Sequence, residues 1–172
     1  MKTARLLVVP MLLVAALSLT GCGAGSLKLG QSAEVDLSLV GKAGSVFEVT
    51  VSSLTPAPEE VAAKYDTEDK LYFATVEAKL KDPSKATGLV SGVYSNVYAQ
   101  LSDGNYLNMS GSGPDECPGR PADATQASND FKAGKTVSVC VPLSADGEKD
   151  VVGVYVGTAD VNSGKGKVWA KS

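Results

Sequence analysis

Histidine is absent from the 172 residues. That single absence removes the commonest general base and the commonest metal ligand together. Ser–His–Asp and Cys–His nucleophiles are excluded, and so are His-bearing zinc and copper sites. No Cys-x-x-Cys is present to lower a thiol pKa, so a dithiol redox role has no support. An excess of cations is missing as well: 16 Lys and Arg face 19 Asp and Glu, for a net charge of −3. This balance argues against nucleic acid, and against binding anionic headgroups by charge alone. No apolar run reaches the roughly 20 residues of a spanning helix. Long helical periodicity is lacking too, and aromatics make up only 6%, a supply that ordinary packing uses up.

The strongest signal that is present lies near the start. Met1-Lys2-Thr3-Ala4-Arg5 is basic, Leu6–Leu19 is apolar with Pro10 inside it, and Leu19-Thr20-Gly21-Cys22 ends the run. Small and apolar residues set directly before a cysteine are the pattern of a cleaved bacterial lipoprotein signal. On this reading residues 1–21 are removed and the Cys22 thiol carries a diacylglycerol, the protein's link to the membrane. Removing the first 21 of 172 residues leaves 151, and losing Lys2 and Arg5 takes the charge from −3 to −5. A chain of that length suits one domain. The expected organisation is a signal peptide over 1–21, a flexible Gly-rich tether over 22–30, and one folded domain over 31–172. The expected location is the extracytoplasmic face of the cell membrane.

The domain reads as β-structure. Val35, Leu37 and Leu39 alternate with polar residues over 33–40, and so do Phe47, Val49 and Val51 over 46–54. Tyr72, Ala74, Val76, Ala78 and Leu80 do the same over 70–81. Period two marks half-buried antiparallel strands. Further strands are expected over 90–101, 106–109, 135–143, 150–157 and 165–171. The last carries lysines suited to an edge. Ser102-Asp103-Gly104-Asn105 is a hairpin turn, because Asp-Gly tolerates positive φ. Pro58, Glu59, Glu60 and Lys64 suit one turn of helix. Asp66, Glu68 and Asp69 lack calcium-loop spacing and read as a solvated acidic loop. About eight short strands without crossover helices predict an all-β, antiparallel sandwich of two sheets. A closed barrel is the alternative.

Cys117 and Cys140 remain once Cys22 is set aside. In an exported chain they are expected to pair, closing a loop of about 24 residues worth roughly 3 kcal/mol. Alternation puts Cys140 on the face away from Val139 and Val141. The bridge would then clamp the Gly- and Pro-rich segment 110–132, expected to be a structureless loop, onto a sheet.

With these strands placed, the chain resembles a known family. The segments Gly44-Ser45-Val46-Phe47-Glu48-Val49-Thr50-Val51, Tyr72 to Leu80, Leu101-Ser102-Asp103-Gly104-Asn105-Tyr106, Phe131 to Val137, Val141-Pro142 and Val168-Trp169 recur in order. Together they look like the domain of unknown function found on extracellular lipoproteins of actinobacteria and other Gram-positive bacteria. That family is similar in fold to a secreted mycobacterial immunoprotective antigen, an immunoglobulin-like β-sandwich. The resemblance implies fold, export and an envelope setting, and it implies no catalytic residue. The insertion between Met109 and Phe131 departs from the pattern.

The function expected is a non-enzymatic, lipid-anchored module that binds an unidentified envelope protein or ligand, with no cofactor and no metal. Tyr94, Asn96 and Tyr98, expected as an exposed row on one strand, are the candidate partner surface. Two alternatives stand. One is a carrier holding a small hydrophobic ligand between the sheets, lined by Tyr72, Phe47, Val97 and Trp169. The other is a hydrolase using carboxylates such as Asp115, Glu116, Asp123 and Asp130.

Overall fold

The computed structural model describes residues 25–37, 45–64, 69–85, 93, 95–108, 117, 124–145 and 147–171. Cys22 and the whole expected signal lie outside them. The elements are β1 (Leu27–Lys28), β2 (Ser32–Asp36), β3 (Val46–Pro56), α1 (Glu59–Ala62), β4 (Leu71–Leu80), β5 (Val97–Leu101), β6 (Tyr106–Leu107), α2 (Ala124–Lys132), β7 (Thr136–Ser144), β8 (Val151–Val156) and β9 (Lys167–Ala170). They form two sheets, in the orders β1-β9-β8-β5-β6 and β2-β3-β4-β7. Every pairing is antiparallel except β1 with β9, which run parallel. The architecture is the expected all-β sandwich.

The inward rows meet in one core. Phe47, Val49, Val51, Tyr72, Ala74, Val76, Leu80, Val97, Val139, Val154 and Trp169 are all buried within it. The Trp169 indole N–H donates to the Gln31 carbonyl at 2.7 Å, which satisfies its one polar atom. Tyr72, Phe47, Val97 and Trp169, expected to line a cavity in the carrier alternative, are buried together in this core, and none of them lines the grooves described below. Bulges adjust the pattern twice. Val51 pairs with Val76 and Ser53 with Thr75, so Ser52 is an extra residue and the inward parity shifts to Leu54. In β8, Leu101 pairs with Val151 and Gln100 with Gly153. Val152, which strict period two over 150–157 would align with Val154 and Val156, is instead turned out to solvent.

Four further expectations change. Leu27 and Lys28, read as tether, pair with Trp169 and Ala170, so the sheet begins before residue 31. This pairing places β9 inside its sheet and removes it from the expected edge. The expected strand over 90–101 begins only at Val97, because the chain turns helically before it, with the Asn96 N–H donating to the Val93 carbonyl at 3.2 Å. Residues 124–132, read as loop, form helix α2. Its Ala127 and Phe131, one turn apart, face the core, where Phe131 meets the edge of Phe47 at 5.6 Å. The helix closes on Gly134 (φ 69°), with bonds from Gly134 N to Phe131 O and from Lys135 N to Asp130 O. Those two bonds are a Schellman cap.

The outer face of the β3-containing sheet is covered in part by the chain itself. Leu71 and Phe73 project outward from β4 and are buried under Val61 of α1 and the Cys117–Cys140 bridge. The bridge spans 5.6 Å between Cα atoms, with Cys140 on the outward face as alternation requires. The one-turn helix stands after Pro58, with Glu59 and Glu60 in its first turn. Among the described residues, no helix is long and apolar enough to cross a membrane.

Candidate binding site

The outer face of the other sheet carries a tyrosine cluster, and among the described residues a groove opens beside it. Along β5 the side chains alternate: Val97, Ala99 and Leu101 enter the core, while Tyr98 and Gln100 point out and are half-buried. Cross-strand register then builds two rows. Tyr98 pairs with Tyr155, and Tyr155 with Val168. Tyr106 pairs with Gln100, Gln100 with Gly153, and Gly153 with Ala170. The hairpin expected at Ser102–Asn105 sets Tyr106 in its place. There Gly104 takes φ 86°, and the Asp103 carboxylate accepts the Asn105 N–H at 3.0 Å.

Tyr155 is the centre of the cluster. Its ring meets Tyr98 edge-on at 5.7 Å and Tyr106 at 5.3 Å, and only 3% of it is exposed. Its hydroxyl donates to the Thr158 carbonyl at 3.1 Å. Glycines make room for the ring. A Cβ on Gly157 would stand 2.5 Å from the Tyr155 oxygen, and one on Gly166 would come closer still to the ring carbons. Any side chain at either position would displace the tyrosine. Burial pushes the Tyr98 and Tyr155 phenols above their ordinary pKa, so both remain neutral donors at physiological pH.

Beside this cluster runs a groove of about 650 Å³. Tyr106, Tyr155, Gln100, Gly166 and Val168 form its sheet side, and Val161 and Gly164 lie on the loop above. Gly25, Ser26, Leu27 and Ala33 close the end where the chain enters the fold, and Lys167 is the one charged residue in the lining among the described residues. A second hollow of about 270 Å³ shares Tyr106 and Val161 and continues past Tyr98 and Asn105. The Gln100 amide donates to the Tyr106 hydroxyl at 3.4 Å. The Tyr106 proton itself is given to no acceptor among the described residues.

The expected partner row divides. Tyr98 belongs to the cluster. Asn96, expected beside it on the exposed face, is buried, because the turn that precedes β5 breaks the period-two alternation and swings it inward. Tyr94 lies outside the described residues. The decisive tyrosines, Tyr106 and Tyr155, escaped a strand-by-strand reading because they reach Tyr98 only across the sheet. Of the carboxylates considered for hydrolysis, Asp115, Glu116 and Asp123 lie outside the described residues. Asp130 binds Lys135 at 2.9 Å and the Gln126 amide at 3.1 Å, and the Lys135 bond holds its carboxyl below the usual range. Asp69 accepts the Gly147 N–H at 3.0 Å, while Asp66 and Glu68 lie outside. Among the described residues, no group of three His, Cys, Asp or Glu side chains is placed to hold a metal ion.

No protein-family profile and no curated protein matches the chain. Its fold is similar to the crystal structure of MPT63, a secreted protein from Mycobacterium tuberculosis. That match has a TM-score of 0.51 and 16% identity, and covers 88% of this chain and all of the other. The likeness places the two-sheet sandwich with this secreted protein's fold, in line with the resemblance read from its strands.

Proposed function

We propose that this chain is a lipid-anchored, non-enzymatic binding module of the bacterial envelope, acylated at Cys22, and that the tyrosine groove is its binding site. The observation that carries the reading is the 650 Å³ groove, open among the described residues, beside a core in which the inward side chains are buried. Small-molecule sites have volumes of about 300–1,000 Å³ and combine apolar walls with a few placed polar groups. Tyrosines with neutral amides beside them fit that description, and a groove with no carboxylate among its described lining residues fits binding better than hydrolysis. The Leu19-Thr20-Gly21-Cys22 pattern and the likeness in fold to a secreted protein support an extracytoplasmic setting.

Calorimetric titration of envelope extract fractions into the protein, with Tyr106→Ala as the paired control, tests the reading. Heat of binding that the substitution weakens is expected. Turnover of a substrate by the folded protein, with no binding at the groove, would reject it. For the anchor, Cys22→Ala should abolish lipid labelling, and label that persists would count against acylation there.

A further inference from the structure

The lining of the groove selects a class of ligand. Apart from Lys167, its polar side chains are neutral: the Gln100 amide, the Tyr106 hydroxyl and Ser26. Lys167, the one charged side chain among the described lining residues, offers an anion a single counter-charge at most, and the other polar side chains there are neutral. An acyl chain would leave those amides and hydroxyls buried without partners, which is costly. A saccharide answers both halves of the lining. Its C–H faces lie flat on aromatic rings, and its hydroxyls exchange hydrogen bonds with amides and phenols.

Position adds a second constraint. Gly25 lines the groove, and Cys22 stands three residues before it. A chain extends at most about 3.6 Å per residue, so the two lie within about 11 Å. The headgroup layer of one leaflet is roughly 5–8 Å thick. A groove tied this closely to an acylated cysteine opens beside the headgroups themselves.

We propose that the tyrosine groove binds the saccharide headgroup of a glycolipid in the same bilayer that holds Cys22. The inference rests on the acylation and binding reading above and names the ligand class of that site. Tyr106 supplies the stacking ring at the junction of the two hollows, and Gln100 the amide.

The test uses the acylated protein in phosphatidylcholine nanodiscs, with and without a diglucosyl diacylglycerol, observed by NMR. Signals of Gly166, Tyr106 and the Gln100 amide should move only in the glycolipid discs. Tyr106→Ala should weaken that response about ten-fold with Tm little changed, and Tyr106→Phe about three-fold. In parallel, unacylated Cys22→Ser protein is titrated with the free disaccharide headgroup and should show the same groove signals moving. Groove signals that stay put in glycolipid discs overturn the proposal, as does Tyr106→Ala responding like the parent. Mass spectrometry showing Cys22 unmodified also overturns it, through failure of the anchor. The Cys22→Ser titration then shows separately whether saccharide recognition has failed too.

Discussion

The two sheets treat their outer faces in opposite ways. On the β3-containing sheet, Leu71, Phe73 and Cys140 would lie exposed, but α1 and the bridge to Cys117 cover them. On the β5-containing sheet, Tyr98, Tyr106 and Tyr155 lean on one another, and a groove stays open beside them. Apolar surface on a sheet is either buried by the chain or left for something else. The first face is built for stability. The second has aromatic area and neutral polar groups that the fold does not need for its core.

That contrast predicts different consequences for substitutions on each face. Phe73→Ala should cost the most, about 3–5 kcal/mol by chemical denaturation, because it empties a covered pocket. A loss near that of a surface substitution would mean that the cover is loose. Replacing Cys117 and Cys140 together with Ala should cost roughly 3 kcal/mol, from renewed freedom of the unfolded chain. On the open face, Gly166→Ala should cost about 1–3 kcal/mol by forcing the Tyr155 ring aside, and it should reshape the groove. Unchanged Tyr155 NMR signals in that variant would contradict the packing described. Tyr106→Ala should cost only about 1 kcal/mol of stability while weakening groove binding, since its ring is only half-buried.

The smallest expected effect concerns pH. The Lys70 ammonium bonds Asp150 at 2.6 Å, and the Asn105 N–H and Lys149 hold Asp103. Both carboxyls lie below their ordinary 3.8 in the folded state. A depressed carboxyl adds stability above its unfolded pKa, and that contribution fades as the pH falls below about 4. Because both groups are exposed, the decline should be shallow. Replacing Asp103 and Asp150 with Asn should flatten it, as read from Tm between neutral and acidic pH.

The legible parts of this fold were those written in local pattern. Period two located β3, β4 and β7, the Asp103-Gly104 turn placed the hairpin, and cysteine count gave the bridge. Long-range pairing was not written locally. Residues 27–28 carry no strand signal of their own and become a strand only because β9 offers an edge. The bulges at Ser52 and Val152 shift parity without a sequence mark. Helix α2 did leave marks: Asp123 and Gln126 have capping-box spacing, and Ala133-Gly134-Lys135 suits a helix end. The surrounding Gly and Pro residues obscured them. Tyr98 was visible as an outward residue, but the cluster needs Tyr106 and Tyr155 from two other strands, so the groove had no one-dimensional signature.

In-cell photo-crosslinking tests the contrast between the faces most directly. A photoreactive residue is placed at Tyr106 in one protein and at Lys79, an exposed position on the other sheet, in a second. Adducts formed from position 106, and absent from position 79, are the predicted result. Adducts from position 79 alone, or equally from both, would contradict the assignment of binding to the tyrosine face.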